Sequence, residues 1–219
     1  MKVNGIIFWG LVLLFCSCAS IKPTDFRPDN LGCIQLPALD PVMDAVSLES
    51  MYPDSYISSE SASSSDFFVS SVSRNRMAQD VRTLFEREVK DCITNPYGEL
   101  NGYIICKVSS GYSRMNPTLT FWSTMTLGIP NILGMPYAQA KTLIDLDVEI
   151  YTLDNRLIGR YNGSGYDKSY SAYYYGYRLA DVSRISGVNA FKMAMNEIKS
   201  KIERDRSRLL MEMNKVGDL

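Results

Sequence analysis

Histidine is absent from all 219 residues. Without an imidazole there is no Ser-His-Asp or Cys-His relay, no HExxH zinc site and no His-ligated haem or copper. Large classes of hydrolase and oxidoreductase are thereby excluded together. A basic surplus is missing as well. Lys and Arg number 23 against 24 Asp and Glu, a formal charge of −1, so nothing in the balance serves to neutralise a run of phosphates, and nucleic acid is not expected as a partner. None of the five cysteines stands in CxxC spacing, which leaves thiol exchange and zinc binding without a motif. No glycine-rich loop leads into GK[ST], because "NGSG" at Asn162 to Gly165 lies in a strand pattern. No cofactor or metal is expected. Long apolar runs are scarce too: Gly5 to Phe15 is free of charge, but a membrane span takes about 20 such residues.

That short run follows a start carrying only Lys2 and gives way to a polar, proline-broken stretch containing Ser20, Pro23 and Asp25. This is the layout of a secretory signal rather than of a buried first element. It ends in "FCSCAS", where the chain resembles the lipobox of bacterial lipoproteins. Ser17 is the small residue ahead of Cys18, and Phe15 stands where that family usually has Leu. The resemblance implies that residues 1–17 are a signal peptide and that Cys18 is diacylated with palmitate-type chains. Residues 18–32 would then tether the protein to a membrane lipid surface in the cell envelope. Its implied address is the periplasmic face of the outer membrane. Stable anchoring needs more than one acyl chain, and two are what a lipobox cysteine carries. Removing Lys2 with the signal leaves a formal charge of −2. Fully extended, the tether from Ala19 to Leu31 would reach about 45 Å.

The remainder, 46% hydrophobic and 21% charged over the whole chain, suits one core. One domain is expected over residues 33–204. Ser47 to Ser65 is a serine-rich loop, and Asp66 to Val72 has the character of a short strand. From Arg74 to Ile93, Val81, Leu84, Phe85, Val89 and Cys92 fall at helical spacing and predict an amphipathic helix. A strand is expected over Asn101 to Ser110, its "YIICKV" centre buried on both faces. Ile144 to Ile150 alternates strictly, the mark of a half-buried strand. A two-residue turn at Asp154-Asn155 would pair Glu149 with Arg160 and Val148 with Tyr161. Gly159, Gly163 and Gly165 then fall on the inward face of the second strand, where a helix can approach closely. The last helix runs from about Ser186 to Arg204, with Phe191, Ala194, Met195, Ile198 and Ile202 inward and Lys192, Glu197, Lys199 and Lys201 outward. Residues 205–219 read as a charged tail. The fold class is α+β, a mainly antiparallel sheet with two helices packed on one face. Of Cys33, Cys92 and Cys106, an odd number in an exported chain, either a bridge or buried thiols are compatible with the pattern.

Two stretches depart from ordinary patterning. Met115 to Ala140 contains no charged residue, and its three prolines and two central glycines argue for an apolar loop rather than a membrane span. It either folds over the core or reaches outward with Phe121 and Trp122 as anchors. Tyr166 to Tyr177 crowds tyrosines into a glycine and serine background, the chemistry of a recognition loop or of a packed strand end. Tyr170, Tyr173, Tyr174 and Tyr175 are its candidate binding residues. Both segments should lie at the end of the hairpin opposite its turn. Asp145, Asp147 and Glu149 share a strand face but lack the loop and glycine of a calcium site, and Arg156 and Arg160 balance them. The order of elements from Asn101 to Ile202 resembles that of uncharacterised and accessory envelope lipoproteins with a small α+β domain. That resemblance implies a non-enzymatic binding or assembly role toward an envelope protein, lipid or glycan, and it transfers no catalytic residue. The competing class is an envelope enzyme using carboxylates or a Ser-Lys pair.

Overall fold

In the computed structural model the described residues are 20–28, 34–44, 76 and 78–214. The signal run, Cys18, Cys33, the serine-rich stretch and the expected strand at Asp66 to Val72 lie outside them. Four strands form one sheet in the order β1-β2-β3-β4: β1 (Ala38–Met43), β2 (Leu100–Met115), β3 (Ala138–Thr152) and β4 (Leu157–Ser171). β1 lies parallel to β2, and the other two pairings are antiparallel. Helix α1 spans residues 78–88 and ends in a π-helical turn, Val89–Ile93. Two short helices, α2 (Pro117–Met125) and α3 (Ile129–Ile132), sit between β2 and β3, while α4 (Leu179–Arg204) and α5 (Arg206–Asn214) close the chain. The fold is α+β, with a mainly antiparallel sheet.

Alternation decides which face is covered. Ile104, Cys106 and Val108 of β2 and Ile144, Leu146, Val148 and Ile150 of β3 point one way and are buried. They meet Val81, Leu84, Phe85 and Val89 of α1 and Phe191, Ala194, Met195, Ile198 and Ile202 of α4 in a single core. Tyr103, Ile105 and Lys107 point the other way and are only half-buried, so β2 is not buried on both faces as "YIICKV" suggested. One face of the sheet carries the helices and the other is open. Gly163 and Gly165 take α4 at very short range. A Cβ at Gly165 would stand 1.8 Å from the Ala190 carbonyl oxygen, and one at Gly163 would stand 2.4 Å from that of Ala194. Cys92 and Cys106 are both buried and are not bridged to each other, and burial pushes the Cys106 thiol far above its ordinary range, which makes it inert.

The hairpin register is the expected one, Glu149 opposite Arg160 and Val148 opposite Tyr161, but the turn is not. Asn155 N–H donates to Thr152 O at 3.1 Å, Thr152 N–H donates to Arg156 O at 3.1 Å, and Asn155 sits at φ 60°. This is a three-residue loop, Leu153 to Asn155. Ile158 is the extra residue that restores step, since Tyr151 faces Leu157 while Ile150 faces Gly159. The left-handed Asn155 is the usual companion of such a loop, and the bulge at Ile158 is a separate one three residues farther along β4.

Three other expectations are corrected. Lys199 is buried and bonded to Glu88, because α1 covers a flank of α4 that the periodicity of α4 alone marks as wet. The charged tail is helical over Arg206–Asn214. Leu209 and Met213, four residues apart, bury on the core, and Arg156 on the hairpin turn bonds Glu212 at 3.0 Å. Finally, the tether is folded in part. Pro23–Phe26 forms a 3-10 turn, Phe26 packs on the core, and Arg87 donates to the Phe26 carbonyl at 3.4 Å. Proline at the start of the turn and Asp25 reaching back to Lys22 N–H at 2.7 Å supply a local cap.

Candidate contact surface

At the end of the sheet opposite the hairpin turn, the uncharged segment and the tyrosine segment meet. The first is a helical cap rather than a loop. Pro117 and Pro130 each stand at the start of a helix, and Gly128 (φ 74°) and Gly134 (φ 100°) stand at or just beyond the ends. Prolines open helices where the missing N–H is no loss, and glycines supply the left-handed exit. The residues that argued against helix are the ones that delimit two helices. Asn116 caps α2 by accepting from Thr118 N–H at 3.1 Å. The exit of α2 is a paired closure: Gly128 N–H donates to Ser123 O at 2.8 Å and Leu127 N–H to Thr124 O at 3.2 Å. It holds Leu127 itself at φ 53°, a conformation that costs a leucine about 1 kcal/mol. Buried Asn131 ties the two helices together, lying 2.6 Å from Ser123 Oγ and donating to Met135 O at 3.0 Å.

The tyrosine segment is strand through Ser171 and turn only beyond it. Tyr166 and Tyr170 are therefore β4 residues, while Tyr173, Tyr174 and Tyr175 project from the turn. Gly176 (φ 80°) folds that turn back, and Tyr177 N–H donates to Tyr170 O at 3.0 Å. The two segments touch at several points. Tyr175 donates to Gly134 O at 3.0 Å, the rings of Tyr137 and Tyr173 lie 5.5 Å apart, and Ser171 Oγ is 2.7 Å from the Tyr137 hydroxyl.

Outward from this junction the cap presents apolar side chains to solvent. Leu127 is 89% exposed, Leu133 83% and Trp122 54%, and Phe121, Met125 and Ile132 are also exposed. Phe121 and Trp122 meet edge to face at 6.1 Å. Tyr173, Tyr174 and Tyr175 are each about half exposed. Of the sequence-derived candidates, Phe121, Trp122 and these three tyrosines share one end of the molecule. Tyr170 stands slightly apart on the open face, its ring under Lys168 Nζ at 5.6 Å.

Sequence reading missed a basic row beneath the cap. Arg114, Lys141 and Lys168 occupy one cross-strand rung on the open face, each from a different strand. Farther toward the hairpin turn the same face is acidic: Asp145 accepts from Ser110 Oγ at 2.5 Å, Asp147 pairs with Ser109 Oγ, and Glu149 takes Lys107 Nζ at 2.7 Å and Arg160 Nε at 3.6 Å. On the β4 edge Glu197 accepts from Ser164 N–H and pairs with Lys201 at 2.8 Å. Ser109, Asp145, Asp147, Ser164, Glu197 and Lys201 line a shallow hollow of about 310 Å³, in which each carboxylate already has a partner. Among the described residues no set of three acids or thiols is placed to hold a metal, and no helix is long and apolar enough to cross a membrane.

Glu149 is the most buried carboxylate of that face. The hydrogen bond from Lys107 holds its carboxyl below the ordinary range, against the opposing effect of burial, and the Tyr151 hydroxyl at 3.0 Å adds to it. A lowered folded-state value means stability that is present above the ordinary carboxylate range and lost as pH falls through the folded value. Urea melts from about pH 7 to about pH 3 should therefore show a weaker acid dependence in Glu149→Gln than in the parent. Parallel curves for the two proteins would contradict the assignment.

No family model matches this chain, and no curated protein is similar to it in sequence.

Proposed function

We propose that the protein is a lipid-anchored module of the cell envelope that works by contact rather than by catalysis, with the helical cap and the adjoining tyrosine turn as its contact surface. The observation that carries this reading is the exposure of the cap. Leu127 and Leu133 are more than four-fifths exposed on a segment without a single charge, and contiguous exposed apolar surface of this kind marks contact sites. Cys18 is the acylation site in this reading, and the function needs no cofactor.

Two variants test it. Cys18→Ala should lose both labelling by a fatty-acid analogue and sedimentation with membranes. Retention of both would refute the anchor. A photo-crosslinking residue at Leu127 should capture a lipid, glycan or protein adduct in cells, and Trp122→Ala with Tyr174→Ala should abolish that capture while leaving the thermal midpoint within a few degrees. Each anchor removed from a desolvated contact costs about 2 kcal/mol or more, roughly thirtyfold. An unchanged adduct in a folded double variant would show that the cap is not the contact.

A further inference from the structure

The start of the described chain and the apolar cap are at the same end of the fold. Ile21, Lys22, Pro23 and Phe26 line one hollow with Asp80 and Arg184. Arg184 lies in the second turn of α4, a few residues after the exposed tyrosines. Burial, and after it the charge of Asp25, raises the pKa of the Tyr177 hydroxyl, which again sets this segment beside the tyrosine turn. Cys18 is two residues ahead of Ser20, at most about 7 Å of chain. With Phe26 packed on the core, little slack remains between an acylated Cys18 and the domain. Acyl chains at that position would hold the cap end near the headgroups.

The charge pattern fits the same orientation. Arg114, Lys141 and Lys168 stand opposite one another across three strands and form no ion pair among the described residues. Like charges in directly opposed positions destabilise a sheet, whereas anionic headgroups attract each such cation. The acidic rungs begin four residues farther along β3, at Asp145, about 13 Å from the basic one. The open face thus carries three unpaired cations in the rung next to the cap, whereas farther along it Lys107 and Arg160 counter Asp147 and Glu149. Beyond the basic row come Trp122 and the half-exposed tyrosines, the side chains favoured at a membrane–water interface.

We propose that α2 and α3 seat in the headgroup region of an anionic bilayer, with Arg114, Lys141 and Lys168 against lipid phosphates. The inference rests on the contact-module reading above and identifies the partner of that surface as the membrane itself, not a protein or a second copy of the chain.

The probe is Trp122, since Trp9 falls within the proposed signal and the processed chain then has no other tryptophan. The processed chain would be acylated at Cys18 in vesicles of phosphatidylcholine and phosphatidylglycerol containing lipid brominated at shallow acyl carbons. In parallel, the same chain would be held by an N-terminal tag on chelating lipid, so that the cap is tested even if acylation of Cys18 fails. The expected result in both is a blue shift and loss of most Trp122 emission. Lys141→Gln and Lys168→Gln should each lower the bilayer-seated population about fivefold. Unquenched Trp122 in the tethered chain would overturn the proposal whatever the fate of Cys18. So would quenching indifferent to both lysines and to removal of phosphatidylglycerol. An intermolecular disulfide through Leu127→Cys, with Trp122 unquenched, would assign the cap to self-association instead.

Discussion

Lys199→Ala is expected to lower the unfolding free energy by about 3–5 kcal/mol, the effect of stranding one member of a buried ion pair. Lys199 Nζ lies 2.8 Å from Glu88 Oε2, and the two side chains are 5% and 0% exposed. The pair joins α4 to the last α-helical residue of α1 beneath the sheet. Removing the ammonium leaves the fully buried Glu88 carboxylate without its cation, so that it must be protonated or drag water inward. The favourable Coulomb attraction of the intact pair is largely offset by its desolvation. The double variant Glu88→Met with Lys199→Met should accordingly recover most of the loss, since it strands no charge. Urea melts at neutral pH read both values. A single-variant cost below about 1 kcal/mol, the range of an exposed pair, would show that the contact is not the sealed one described.

Gly165→Val should cost at least about 3 kcal/mol, at or beyond the upper end of the ordinary overpacking range. A Cβ there would lie 1.8 Å from the Ala190 carbonyl oxygen and 2.9 Å from the Ala194 amide nitrogen. Those are backbone atoms in the middle of α4, so no rotamer change relieves the clash. Either the helix lifts off β4 along much of its length or the strand shifts, and both open the core. Gly159→Ala is the informative contrast. The atoms its Cβ would meet, at 2.8 and 2.9 Å, belong to the Tyr161 ring, a side chain able to move, and its cost should be clearly smaller. Equal costs for the two would contradict the close packing of helix on strand.

The close approach of α4 at Gly163 and Gly165 is legible in the sequence, because inward positions of β4 alternate with period two and glycine there has few other uses; Gly159, expected to admit the helix in the same way, faces the Tyr161 ring instead. The hairpin register is legible too, since it rests on the Ile144 to Ile150 alternation. Its turn is not legible in the same way, because the bulged Ile158 adds one residue to β4 and so compensates for the longer loop. Pattern counting sees the register and not the bulge. The cap is hidden for a different reason. Taken one by one, Pro117, Pro130, Gly128 and Gly134 read as breakers, but their order, proline first and glycine last in each piece, is the signature of two short helices. Lys199 and the basic rung were beyond reach for a third reason: their environment is set by residues distant in the chain. Lys199 is inward only because α1 lies against α4, and Arg114, Lys141 and Lys168 become neighbours only when three strands pair. The packed turn at Pro23–Phe26 had a local signal in Lys22, Pro23 and Asp25, but its docking on the core did not.

In the proposed arrangement one end of the domain is both the anchored end and the contact end. Single cysteines at Leu127, in the cap, and at Asp154, exposed in the hairpin turn at the opposite end, measure this directly through labelling by a membrane-impermeant maleimide. With the chain anchored at Cys18 to anionic vesicles, position 127 should become strongly protected relative to detergent solution, while position 154 should label at the same rate in both. Equal labelling of the two positions on vesicles, or protection at 154 instead of 127, would contradict it.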